Sequence, residues 1–279
     1  MRSMPLQPSP LELRPSVGVL AALRAGRLGA SGLIASPAVL AGRCLFYVLV
    51  LTVLSSFWDV VGRERVPGAL AHAPAAGLAL YVGVTEWMTL SVPALHLRLE
   101  DDIRFGALET HLLRPKPYLL MKLGEAAGAM LVRLGVLGLA ALGLLVVSGR
   151  AAPGWPVYAA LLVLGPLGAL NALLVNALVG LTAFWARRTI AAYLVAQKLS
   201  FLFGGLIAPV TLYPRWLARI AELSPFGGQL YWPAAMTLQP SAATFGLALI
   251  SEAVWIPLLA VALVAVWRAG LGRVLKRGV

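Results

Sequence analysis

Hydrophobic positions along this chain come in long unbroken runs, each closed by a short cluster of charge, glycine or proline. Runs of about 20 apolar residues match the hydrocarbon thickness of a bilayer when wound as α-helix. Their continuity excludes the period-two alternation of a membrane β-barrel. Six spans are predicted, over residues 38–58, 74–96, 119–148, 156–184, 189–212 and 243–267. The pattern reads as an all-α polytopic membrane protein, a single domain over residues 1–279.

Three segments break the pattern. Residues 13–37 set Arg14, Arg24 and Arg27 among Leu20, Leu23, Leu28, Leu33 and Ile34. That mixture predicts an interfacial helix, although Gly26, Gly29 and Gly32 lower its helix propensity. Residues 98–117, RLEDDIRFGALETHLLRPKP, form a charged island too polar for lipid. Within it Phe105, Leu108 and Leu112 stand at i, i+3 and i+7, which predicts a short helix with one apolar stripe. Pro115 and Pro117 end it. Residues 213–240 place Trp216, Leu217, Ile220 and Leu223 on one face, with Arg215, Arg219 and Glu222 on the other. Ser224-Pro225 then turns the chain, and Gly227, Gly228 and Pro233 interrupt the apolar stretch beyond the turn. Re-entrant or interfacial helices are expected there, because irregular backbone at membrane depth needs protein or water around it. Trp216, Tyr231 and Trp232 suit an interfacial position.

Composition agrees with this reading: 60% of residues are hydrophobic, and mean hydropathy is +0.85. The net charge of +12 would suggest nucleic acid in a soluble protein, but its distribution gives a better account. The N-terminal region, residues 97–122 and 185–188, and the C-terminus together hold 16 Lys and Arg, against 5 on the opposite side. The positive-inside rule then puts both termini and the island in the cytoplasm. A single cysteine, Cys44, leaves no intramolecular disulfide framework and no cysteine-rich metal site.

The chain lacks the residues of most membrane chemistries. No lysine follows a glycine, so the phosphate-cradling G-x-x-x-x-G-K-[ST] loop is missing. His72, His96 and His111 are scattered without metal-ligand spacing, and no nucleophile elbow occurs. No catalytic or metal residue is therefore assigned. Among ionisable groups inside spans, Glu86 is central, while Arg133 lies within span three and Glu252 and Lys198 stand nearer span ends. Such groups are costly in lipid; structural pairing is the plain reading, and Glu86 is the candidate to line a polar path. Gly124 and Gly128 make a G-x-x-x-G pair that ordinary helix packing explains. Gly204-Gly205 with Pro209 breaks span five near its end, as a kink or as part of a gate.

The combination resembles the type-2 ABC exporter permeases. Two motifs carry the resemblance. Residues 103–115, IRFGALETHLLRP, resemble the family's I-x-x-G-x-L-x5-R-P segment before the third span. Downstream, Phe184-Trp185, then Gly205, Pro209, Pro214 and Leu217, then Ser224-Pro225-Phe226 and Tyr231-x-Pro233 resemble its outer region. The chain departs from the pattern in its acidic trio Glu100, Asp101 and Asp102, and in Ser224 where leucine is common. The resemblance covers about residues 15–270. It implies the membrane subunit of a bacterial ATP-driven exporter in the cytoplasmic membrane, with no cofactor on this chain. ATP and magnesium would be bound by two partner ATPase subunits, and a second copy or a related permease would complete the dimer. The island would be the coupling helix, with Asp101, Asp102, Arg104, Phe105, Gly106, Leu108, Glu109, Leu112 and Arg114 at the ATPase contact. Gly204, Gly205, Pro209, Phe226 and Tyr231, with Glu86, would form the substrate path or outer gate.

Three other classes compete. A secondary transporter or channel would show an internal repeat and paired intramembrane charges, and neither is evident. A membrane-embedded lipid-modifying enzyme would need an acidic or histidine cluster at one face, for which residues 100–102 alone are too few. A non-transporting assembly or sensor subunit is the third.

Overall fold

The computed structural model describes residues 15–63, 75–112, 117–149, 153–186, 188–206 and 208–277. Arg14, Arg65, His72, Arg114, Pro115 and Arg150, and the side chain of Leu112, lie outside the described set. Among described residues all regular structure is helical. The elements are α1 (Pro15–Ile34), α2 (Pro37–Arg63), α3 (Ala75–Ser91), α4 (Leu95–Arg104), α5 (Ala107–Leu112), α6 (Tyr118–Val147), α7 (Trp155–Leu181), α8 (Ile190–Phe203), α9 (Arg215–Leu223), α10 (Trp232–Leu238) and α11 (Ala242–Arg277). A five-residue π-helical turn, Gly227–Tyr231, feeds α10.

Five stretches among the described residues are long and apolar enough to cross a membrane: Pro37–Phe57, Gly77–Arg104, Tyr118–Val147, Trp155–Phe184 and Ala242–Val274. The protein is a multi-pass membrane protein. The second stretch is broken at Val92–Ala94, so its apolar part is α3, and α4 is the charged continuation. The stretch expected as span five differs. Its helix, α8, stops at Phe203 after 14 residues, about 21 Å of rise against the ~30 Å hydrocarbon core. Gly204 caps it, and Gly205 follows at φ +73°, a conformation that glycine alone adopts at no steric cost.

Burial sorts the helices. In the α3 and α7 stretches 56% and 50% of the apolar window is covered by protein, against 11–22% for α2, α6 and α11. The centre is thus α3 against α7, with the other three presenting side chains such as Leu45, Leu49 and Val261 outward to lipid. Where α6 and α7 crowd Trp87 of α3, bulk is removed. Trp87 of α3 lies against Gly138 and Gly165, and its indole N–H donates to the Leu134 carbonyl at 2.8 Å.

Gly26 and Gly29 of α1 do more than lower its propensity; they seat it. A side chain at Gly29 would overlap the Glu125 carbonyl, one at Gly124 the Ala22 carbonyl, and one at Gly128 the Gly26 carbonyl. The Gly124/Gly128 pair is therefore the crossing point of α1 and α6, a close backbone approach of the kind small residues permit. Leu20, Leu23, Leu28 and Ile34 remain exposed on the outer side of α1. Gly128→Leu is expected to overpack the seam, at a cost of about 1–3 kcal/mol. Amide hydrogen exchange should then accelerate across residues 15–34 while α7 stays protected; unchanged exchange in α1 would refute the seam.

Candidate functional site

Two polar assemblies stand out beside the α3–α7 core. The first is the charged island. Its expected single helix is two: α4 ends at Arg104, Gly106 takes φ +74°, and α5 begins at Ala107. That elbow overturns the expected stripe. Leu108 turns inward, 2% exposed, into the cluster of Leu95, Leu99 and Tyr118, whereas Phe105 points out at 75% exposed. The i, i+3 relation holds only within one continuous helix, and the left-handed glycine between them breaks it.

The acidic trio divides in the same way. Glu100 is buried, and its carboxylate accepts hydrogen bonds from the Thr189 hydroxyl at 2.6 Å and the Thr189 backbone N–H at 2.8 Å, with Arg104 and Arg188 at 3.3 and 3.6 Å. Asp102 accepts from the Tyr118 hydroxyl and pairs with Lys122, both at 2.6 Å. Arg98 pairs with Glu125, also at 2.6 Å. Asp101 alone of the three is exposed. The extra acid that departs from the family pattern thus ties α4 to the head of α8 and to the first turns of α6. A buried carboxylate is tolerable only with such partners. His96 is 3% exposed. Its backbone N–H donates to Asn176 Oδ1 at 2.9 Å, its ring Nδ1 lies 2.9 Å from the same oxygen, and the ring stacks on Tyr193 at 4.1 Å. Gly180 lets α4 lie this close to α7, since a Cβ there would come within 2.9 Å of His96 Cα and Leu99 Cβ. The outcome is a braced elbow whose free face carries Asp101, Phe105, Glu109 and Thr110, with the Arg104 guanidinium 5.2 Å from the Phe105 ring centre.

The second assembly is the tip of a helical hairpin. α9 turns at Ser224-Pro225, and the π-helical turn and α10 follow. Asn171, in the middle of α7, donates to Glu252 Oε2 at 3.0 Å and to the Pro225 carbonyl at 3.3 Å. Its own carbonyl accepts from Gln229 Nε2 at 3.3 Å, and Gln229 Oε1 accepts from the Ser200 hydroxyl of α8 at 3.1 Å. The Trp255 indole donates to the Leu223 carbonyl, and that of Trp232 to the Glu222 carbonyl, each at 3.1 Å. These satisfy carbonyls that the end of α9 leaves unpaired. A Cβ at Gly228 would stand 2.9 Å from Glu252 Oε1 and 3.1 Å from Asn171 Nδ2, so the glycine lets the carboxylate reach the turn. Irregular backbone deep among spans survives only with this kind of enclosure, and π-turns concentrate at functional sites.

The expected gate residues separate into two groups. Gly204, Gly205 and Tyr231 meet around Tyr81, Val210 and Leu230, and Pro209 starts the 3-10 turn that supplies Val210. Phe226 stacks on Phe203 at 6.5 Å. Glu86 is half-buried on α3 and takes no part in the cluster. Glu252, expected nearer a span end, is its centre at 2% exposed. Asn171, Gln229, Ser200 and Asn176 carry no formal charge, so a reading of intramembrane charges passes over them. Neutral amides and hydroxyls inside apolar runs are the signal that marks them. On α9 the apolar residues Trp216, Ile220 and Leu223 are exposed, which fits a helix facing lipid.

One comparison with known protein families finds a match. A model described as ABC-2 family transporter protein matches residues 78–278, which takes in α3 through α11 and both assemblies. Searches of curated proteins and of solved structures return no match.

Asn171→Leu or Glu252→Leu leaves buried partners unpaired, each costing about 1–3 kcal/mol. The double variant is expected to be less damaging than the two single losses summed, because both members of the pair go together. Apparent melting temperatures in detergent read the cycle; strict additivity would show the pair is uncoupled.

Proposed function

The chain belongs to the ABC-2 transporter family, and from that premise we propose that it is the transmembrane subunit of an ATP-driven exporter energised by separate ATPase subunits. Membership makes it a membrane transport permease. The sequence offers no phosphate-cradling loop, so ATP and magnesium belong on the partners, two per complex, and this chain is not itself an enzyme. Two permeases, copies or relatives, pair to enclose the path. The 16-to-5 bias of basic residues favours cytoplasmic termini and a cytoplasmic island in the bacterial inner membrane. Counting α8 with the hairpin after it gives the sixth membrane segment.

The braced elbow carries this reading. A drive point must pass force without yielding, and α4 is held by Glu100, Asp102, Arg98 and His96 to three other elements. What it leaves outside is an aromatic flanked by charge, the composition of an interface anchor. From the elbow, contacts run through Glu100–Thr189 to α8 and through Ser200–Gln229 to the hairpin tip. Closure of the ATPase subunits beneath Phe105 would thus be felt at a turn among Gly204, Gly205, Phe226 and Tyr231.

Phe105→Asp is expected to leave the permease folded and to weaken ATPase docking by about 2 kcal/mol or more, roughly 30-fold, as loss of a central anchor does. Co-purification and stimulated ATP hydrolysis measure it. Leu108→Asp should instead destabilise the permease itself, because Leu108 is 2% exposed. Full stimulation in Phe105→Asp would sink the docking assignment.

A further inference from the structure

α2, α3, α6 and α7 meet around Trp87: Tyr47 Oη donates to the Gly83 carbonyl at 2.9 Å, Trp87 Nε1 donates to the Leu134 carbonyl at 2.8 Å, and the Trp87 ring packs on Gly165 of α7. Toward the end remote from the island they part. Between them lies a cavity of about 870 Å³, far larger than ordinary packing leaves and within the size of small-molecule sites. Its floor is Tyr47, Trp87 and Leu134, and its far rim includes Ser55, Ser56 and Ser148.

We propose that this cavity is a binding site for the acyl chain of a lipid drawn from the leaflet remote from the island. Four observations point to that occupant. The described lining carries no charged side chain and is mostly aliphatic, so water would find few of the partners a buried water needs. From Leu134 to Leu145 the wall rises about 16 Å, roughly half of the ~30 Å hydrocarbon core, which is the depth of one leaflet. Polar atoms gather at the rim, where a headgroup would lie. The hydroxyls of Ser55, Ser56 and Ser148 donate to carbonyls of their own helices, which leaves their oxygens free to accept. Finally, Leu139 and Leu162 line the cavity and are 69% and 77% exposed, so its wall is continuous with the lipid-facing surface and a chain can enter sideways. An apolar volume of this size beside a bilayer does not stay empty when chains adjoin it.

The proposal stands apart from the ATPase reading, since the site needs only the permease and a bilayer. The ligand class is an uncharged hydrocarbon chain on a polar head, either ordinary membrane phospholipid or an acylated cargo. The probe is phosphatidylcholine carrying a photoactivatable diazirine on its acyl chain, mixed into nanodiscs that hold the full-length protein. After irradiation, peptide mapping should find adducts on the floor segments around Tyr47, Trp87 and Leu134, and on exposed Val261 of α11 as a bulk-lipid control. Gly135 lines the cavity and a Cβ there meets nothing within 4 Å, so Gly135→Phe fills the space without striking backbone. It should lower floor adducts severalfold while Val261 labelling holds. Leu142→Trp, from a second wall position, should do the same if the first variant folds poorly. Mass spectrometry of lipid retained by the native protein separates the sources: a composition like the nanodisc marks a resident phospholipid, and one enriched species carried over from the cell marks a dedicated ligand. Absence of floor adducts in the native protein, floor labelling unchanged in both variants, or cross-links there to a second permease copy would overturn the assignment.

Discussion

Inside a bilayer no water waits to satisfy a polar group, and this constraint shapes every irregular feature of the chain. Five apolar stretches meet it by winding into long helices. The hairpin from α9 to α10 cannot, because its chain turns among the spans. Its tip is instead held by side chains from three helices: Asn171 of α7, Ser200 of α8 and Trp255 of α11, with Glu252 of α11 accepting from Asn171. Remove those groups and the Ser224–Gln229 turn loses its partners at that depth.

The two polar assemblies share helices. α7 carries Asn171 at the hairpin tip and Asn176 at the His96 contact, five residues apart. Thr189, just before α8, holds Glu100, and α8 presents Ser200 to Gln229. Charged side chains are few in a chain that is 12% charged, and Glu100, Asp102 and Glu252 each meet a partner from another helix or its cap. The elbow and the hairpin tip are thus secured to the same pair of helices.

Glycine has two separate uses here. At Gly106 and Gly205 it supplies a positive φ that ends a helix. At Gly26, Gly124, Gly128, Gly180 and Gly228 it supplies missing volume, so that backbone or carboxylate can come close. Only the first use is suggested by a glycine's neighbours along the chain, as with Gly204-Gly205 before Pro209. The second depends on the group facing it, which is why Gly26 and Gly29 of α1 read as a weakness and proved to be part of a seam.

By itself the sequence determined the class: continuous apolar runs of bilayer length, an island that lipid would reject, and a proline- and glycine-broken segment before the last helix. Those properties come from solvation and local geometry, which depend on residue type and spacing alone. Tertiary structure decided which polar group meets which. It turned Leu108 in and Phe105 out, put Glu100 and Asp102 to bracing, moved the central carboxylate from Glu86 to Glu252, and opened a cavity between α2, α3, α6 and α7. Each of those outcomes depends on residues far apart in the chain, such as Asn171 and Glu252, and a one-dimensional pattern does not hold the distance between them.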